Sequence, residues 1–272
     1  MPHAPTAQTP TTPPLGVAGH FGELLQGRLG PDGPIALISL PCPAVWVDTD
    51  PRTGFDVTLS AARLAKLCAA LDLPVPDTAV QLRATMPVGG GAGSSTASLV
   101  ATARALGFAG RSEALAQICA RVEGASDPLM FDHAERLLFA PRTGQILRQT
   151  PALPRFTVLG GFFGPPSRTD PFDTAFPDIS DLVARWRAPL TLPQMAALAT
   201  CSARRTLEMR GPARDPTAGL AGDLGALGWV IAHTGSARGL IFAPDAVPDL
   251  AAQTLCDAGF TQVLQFDAGG LA

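Results

Sequence analysis

Pro87-Val88-Gly89-Gly90-Gly91-Ala92-Gly93-Ser94-Ser95-Thr96-Ala97 is a glycine run that ends in paired hydroxyls and opens directly into a helix-like segment. Four glycines within five positions let the backbone approach a bulky anion closely. A helix beginning near Ser94 aims unpaired N–H groups and the positive end of its dipole at that anion. The flanks fit this context: residues 80–86 alternate apolar and polar side chains as a half-buried strand does, and 96–106 is alanine-rich and stops at Gly107. Strand, glycine loop, helix is the expected local structure. Its functional reading is a phosphate cradle; the alternative is a plain strand-to-helix connection.

Two familiar phosphate signatures fail on these residues. A P-loop ends in Gly-Lys-Ser/Thr, but Gly93 is followed by Ser94, and the only lysine of the chain is Lys66. A dinucleotide fingerprint can be forced onto Gly89, yet it belongs in a first strand-to-helix turn with an acidic strand end about twenty positions on. Here Glu113 opens a helix instead.

Position for position, Pro87, Gly91, Gly93, Ser94 and Ser95 resemble the second motif of the GHMP small-molecule kinases, with Ala92 where leucine is usual. Two further segments are similar to the L-threonine kinases of cobalamin biosynthesis. One is Gly19-His20-Phe21-Gly22-Glu23-Leu24-Leu25-Gln26-Gly27, followed by Leu40-Pro41-Cys42-Pro43; the other is Ala232-His233-Thr234-Gly235-Ser236-Ala237-Arg238-Gly239. The three elements occur in the family's order and span most of the chain. The resemblance implies an α+β, two-domain GHMP kinase fold. Its N-terminal domain would be like ribosomal protein S5 domain 2, its C-terminal domain ferredoxin-like, with ATP and substrate between them.

The bulk properties agree. The 272 residues are 46% hydrophobic and 16% charged, enough for one large core or two modest ones, and no apolar run reaches the length of a membrane span. A net charge of -3 with scattered arginines carries no basic patch, so nucleic acid is not expected as a partner. Five cysteines, odd in number and without C-x-x-C spacing, fit reduced thiols in a cytoplasmic protein. Residues 1–14, rich in Pro and Thr, lack the features of a signal peptide and read as a flexible tail.

Strand character over 44–47 and 55–59 precedes helix-like 61–71, and helix-like 111–123 follows the glycine loop. Turn residues over 141–154 set a domain boundary near 153, giving an ATP-binding domain over 15–153 and a C-terminal domain over 154–272. In the latter, strands are expected at 156–163, 239–243 and 262–266, and helices at 194–209, 219–228 and 247–259.

Phosphoryl transfer needs a metal to neutralise phosphates and a group to orient the attacking hydroxyl. Glu123 falls in the last turn of its helix, where the dipole disfavours a negative charge by a few tenths to about 1 kcal/mol. A carboxylate so placed often has a cation; a solvated surface glutamate is the other reading. The resemblance assigns Mg2+ to Glu123 together with Ser95, and ATP phosphates to Pro87, Gly89, Gly90, Gly91, Ala92, Gly93, Ser94, Ser95 and Thr96. It also sets Asp127 near the transferred phosphoryl group, through a one-residue insertion, as acceptor or positioner of the substrate hydroxyl proton. An Asp-Pro turn is the other reading of Asp127, with Asp132 and His133 as fallback acid and base. For the acceptor, the first motif offers His20, Gly22 and Glu23, the last as partner for a substrate ammonium. The third offers Thr234, Gly235, Ser236 and Arg238, the last for a substrate carboxylate, a phosphate contact or a surface role. The acceptor implied by the resemblance is L-threonine. Homoserine, serine or another small alcohol, and a nucleotide-binding module without catalysis, stay open from the residues alone.

Overall fold

The computed structural model describes residues 16–49, 54–78, 80–167, 169–212 and 214–270. The expected tail over 1–14 lies outside the described residues. The chain opens with two long strands, β1 (Val17–Arg28) and β2 (Ile35–Asp48), paired antiparallel around the turn at Gly30 and Gly33. β1 shows almost no polar/apolar alternation because both of its faces are covered, and a strand buried on both sides has no solvent face to mark. The pairing register shifts at Gly19, His20 and Glu23, so the first motif lies in an irregular stretch of an otherwise regular strand.

β3 (Phe55–Val57), α1 (Ala61–Leu71) and β4 (Leu82–Ala84) follow. The strand expected over 80–86 is thus shorter, because its partners β2 and β3 offer only a few residues. The glycine loop leads into α2 (Ser94–Ala105), and α3 (Ser112–Glu123) succeeds it. α2 is buried on nearly every side, between α1, α3 and the β1–β2 pair, which its small Ala, Ser and Thr side chains permit. The hairpin β5 (Leu137–Ala140) and β6 (Gln145–Gln149) occupies the region read as turns, and β5 adds to β2.

The second half holds β7 (Phe156–Phe162), α4 (Ser180–Arg185), α5 (Leu192–Arg210), α6 (Thr217–Asp223), β8 (Gly228–Ile231), β9 (Ala237–Phe242), α7 (Ala251–Asp257) and β10 (Thr261–Ala268). α5 starts at a reciprocal capping box between Thr191 and Gln194 with Pro193 in its first turn. The helix expected over 219–228 ends earlier, at Asp223, because Gly225 turns the chain at positive φ and Gly228 already begins β8.

Among the described residues every pairing between these strands is antiparallel, in the order β10-β7-β9-β8-β1-β2-β4-β3, and a single parallel bridge joins Arg28 to Asp178. The two halves are joined edge to edge through β1 and β8, with Glu23 opposite Ile231. In β9 the side chains alternate between two cores. Ile241 joins the main core with Phe21, Phe156 and Leu40; Leu240 and Phe242 join a smaller one with Trp229, Leu255 and Phe260. The architecture is mixed α and β, as expected.

Candidate functional site

Gly89, Gly91 and Gly93 all take left-handed φ values of +77° to +78°, the conformations for which side-chain-bearing residues are unsuited. At Gly91 a Cβ would lie 2.2 Å from the Thr234 carbonyl and 2.4 Å from the Ala232 Cβ. The third motif is therefore pressed against the second. Two amides, of Ser236 and Ala237, donate to the Gly90 carbonyl at 2.9 and 2.8 Å. The first motif approaches from the other side, where the His20 amide donates to the Ala92 carbonyl at 3.2 Å. Three segments far apart in sequence thus form one backbone junction. Gly93 is the N-cap of α2 and has no side chain to satisfy the first N–H groups of the helix, which leaves them for an external acceptor.

A cleft of about 600 Å³ opens at this junction. His20, Glu23, Gly89, Gly91, Gly93, Ser94, Ser95, Thr96, Glu123, Asp127 and Thr234 all line it. Pro87, Gly90 and Ala92 instead shape the loop from behind. Gly22, Gly235 and Ser236 do not line it either. Gly22 turns the first motif at φ +78° against Ile231, and Gly235 and Ser236 are packed on the glycine loop. Arg238 faces away from the cleft. Its Nε donates to Asp215 at 2.8 Å, with side chains only 6% and 1% exposed, and its Nη1 donates to the carbonyls of Gly235 and Ala237. The guanidinium braces the 235–237 turn, which removes it from the substrate-carboxylate role considered for it. Asp132 and His133 line a separate cavity of about 440 Å³.

α3 ends where expected, at Glu123 with Gly124 in the left-handed cap. Ser95 Oγ donates to Glu123 Oε1 at 2.8 Å. A cation is indeed present: Arg63, in the first turn of α1, pairs with Glu123 and donates to Ser95 Oγ at 2.8 Å. Sequence reading offered no signal for Arg63, which lies 32 residues before Ser95.

Asp127 sits in the loop after α3, tied to α2 by Thr96. The Asp127 amide donates to Thr96 Oγ1 at 3.1 Å, and that hydroxyl lies 3.2 Å from Asp127 Oδ2. His20 bridges two carboxylates, with Nδ1 3.2 Å from Glu23 Oε1 and Nε2 3.5 Å from Asp127 Oδ2. Burial disfavours the imidazolium, yet the charges of Glu23 and Asp127 outweigh it and raise His20 to about 9. Burial lifts Glu23 to about 7 against the pull of His20. Asp127 is held below the usual carboxylate value: burial opposes its charge, but His20 and the Thr96 hydroxyl stabilise it. The three donor atoms lie within 4.8 Å of one another, close enough for a metal. Without a metal there, His20, its pKa raised, bridges the two carboxylates. A quarter of the Asp127 side chain faces the cleft, so its carboxylate is an ionised acceptor presented to a ligand.

The cleft is completed by His233 of the third motif and by two residues the sequence reading did not single out. These two are Phe176 and Arg142, and Arg142 donates to the carbonyls of Gly124, Asp170 and Asp173.

The family model for the GHMP kinases N terminal domain matches residues 56–134, which hold the glycine loop, Ser95, Glu123 and Asp127. No curated protein matches the sequence. Among solved structures, the Methanococcus jannaschii mevalonate kinase superposes with a TM-score of 0.57 at 10% identity, covering 94% of this chain and 98% of that one. The L. major mevalonate kinase in complex with R-mevalonate gives 0.57 at 11% identity, covering 98% and 99%. A Listeria monocytogenes protein assigned as a homoserine kinase gives 0.51 at 16% identity, covering 94% and 96%. The fold is that of the GHMP kinases over nearly the whole length. Together, the domain match around the glycine loop and this likeness in fold support the GHMP kinase superfamily for the chain.

Proposed function

We propose that the protein transfers the γ-phosphoryl group of ATP to the side-chain hydroxyl of L-threonine, giving O-phospho-L-threonine and ADP. The observation that carries the reading is the convergence of two devices in one cleft. The uncapped start of α2 at Gly93, an anion site, faces the same space as the ionised Asp127 buttressed by His20 and Glu23. The glycine loop and the amides of Ser94, Ser95 and Thr96 receive phosphate oxygens, and Val57, Leu59, Val88 and Val122 supply apolar wall. Because Asp127 titrates low, it accepts a hydrogen bond from the attacking hydroxyl and fixes its direction, taking the proton only as the bond to phosphorus forms. His20 keeps Asp127 ionised and in place. Glu23, whose buried carboxylate faces the cleft beside His20 and Ser39, is the acceptor for the substrate ammonium.

The Ser95 hydroxyl and Glu123 carboxylate are hard oxygen donors side by side at the cleft, a donor set that suits Mg2+, and Arg63 would yield their oxygens to it. When bound there, the metal neutralises phosphate charge. The C-terminal segment 154–272 contributes the 232–237 turn that seats the glycine loop, with the domain boundary near 153. The product would supply the aminopropanol linker of cobalamin.

A coupled ADP-release assay with L-threonine, L-homoserine, L-serine and mevalonate tests the reading. L-Threonine is expected to give the highest kcat/KM, and Asp127→Asn to lower kcat about a hundredfold or more with KM for ATP kept within about twofold. A tenfold preference for another acceptor overturns the substrate. Full activity of Asp127→Asn overturns the mechanism.

A further inference from the structure

His233 follows β8 and lines the cleft two residues beyond Ile231, the strand partner of Glu23. Its Nε2 lies 2.6 Å from Arg210 Nη1, and a guanidinium can only donate. Nε2 also lies 3.5 Å from Asp173 Oδ2, but the Arg210 contact is much the shorter, so Nε2 accepts from the guanidinium and the ring proton sits on Nδ1. Arg210 is held for this task by Asp173, 2.5 Å from the same Nη1, and by the carbonyl of Ala175. Phe176 stacks on the imidazole at 3.8 Å with an 8° interplanar angle, so the ring cannot swing. Burial pushes His233 down to about 3, reinforced by Arg210, and the ring is neutral at ordinary pH.

The consequence is an N–H with nothing to bond. His233 Nδ1 is buried and has no partner among the described residues. A donor fixed in tautomer, fixed in ring plane and left unsatisfied at a cleft wall is a group waiting for an oxygen acceptor. Arg142, which lines the same wall, adds positive potential to it. Glu23 Oε2 is the complementary acceptor, buried in the same cleft with no close hydrogen-bond donor, the Ser39 hydroxyl being the neighbour across the β1–β2 pair. One unpaired donor and one unpaired acceptor, with Asp127 also lining the cleft, match the carboxylate, ammonium and hydroxyl of a hydroxylated α-amino acid.

We propose that His233 Nδ1–H binds the carboxylate of the acceptor, opposite Glu23 on its ammonium, so that the cleft selects zwitterionic α-amino acids. This rests on the amino-acid kinase reading above. Arg210, Asp173 and Phe176 are positioning residues that set the tautomer and plane of the ring.

The test compares L-threonine with L-threonine amide, which lacks the carboxylate charge, in the wild-type protein, His233→Leu and His233→Asn. His233→Leu is expected to lose about a hundredfold in kcat/KM for L-threonine through KM, with the amide little affected and KM for ATP unchanged. His233→Asn, whose amide N–H takes the place of Nδ1–H, is expected to stay within about tenfold of wild type. Equal losses on both acceptors, or a rise in KM for ATP in place of threonine, overturn the assignment; the latter gives Nδ1–H to a phosphate oxygen. If His233→Leu does not fold, calorimetric binding of the two acceptors to the wild-type protein decides, and equal affinities overturn it. A wild-type protein that neither binds nor phosphorylates any α-amino acid overturns the amino-acid reading itself, a result distinct from lost discrimination.

Discussion

Replacing His20 by Gln removes the imidazolium that bridges Glu23 and Asp127 and leaves both carboxylates buried without it. In the folded protein His20 titrates at about 9, against 6.5 for an unperturbed histidine. A folded-state pKa raised above the unfolded value gives stability that is complete below about pH 6.5 and is lost as pH climbs through about 9. The gap of 2.5 between those two values corresponds to about 3 kcal/mol at 1.36 kcal/mol per unit. Glu23, raised from 4.5 to about 7, acts in the same direction over a lower window, its contribution fading between those two values. Wild-type stability is therefore expected to fall by about 3 kcal/mol between about pH 7 and about pH 9.5, where the Glu23 change is mostly past and His20 is the group that titrates. In His20→Gln most of that fall should vanish, and the variant should be less stable than wild type at about pH 6 by a similar amount. Urea unfolding followed by tryptophan fluorescence at a series of pH values measures both. A wild-type profile flat to within about 0.5 kcal/mol over this range, or slopes that are the same in both proteins, refutes the buried Glu23-His20-Asp127 arrangement.

Gly91→Ala should cost about 1–3 kcal/mol, because φ is +78° and the new methyl would lie 2.2 Å from the Thr234 carbonyl. Denaturant titration checks this, and a change below about 0.5 kcal/mol means that the second and third motifs are not in contact. Arg238→Leu leaves Asp215 buried without its partner and should destabilise by about 3–5 kcal/mol. The Arg238→Leu, Asp215→Ala double variant should recover part of that loss; strict additivity by the same denaturant titration argues against the pair.

The glycine loop, the helix after it and the placing of Glu123 in the last turn of α3 were legible in the residues. All three are local: positive φ demands glycine at 89, 91 and 93, and periodicity and a Gly124 cap end the helix. Less legible was β1, which is buried on both faces and so lacks alternation, and the β5–β6 hairpin, whose Pro141, Arg142, Thr143 and Gly144 turn reads as loop. The helix expected to run to 228 stopped at Asp223 because a single glycine at positive φ outweighed a permissive composition.

Side-chain partnerships were decided by tertiary structure. Arg63 reaches Glu123 because α1 packs on α3, His20 reaches Asp127 because β1 runs beneath α2, and Arg238 turns from the cleft because Asp215 holds it from outside. The tautomer of His233 depends on Arg210 at the end of α5 and a stacked Phe176, residues that no spacing rule links to it. By itself the sequence determined where the backbone must take left-handed turns, at Gly89, Gly91 and Gly93, since φ is restricted residue by residue. Which charges meet across those turns follows from sheet order and helix packing, which bring together groups dozens of residues apart, and only the folded chain decides that.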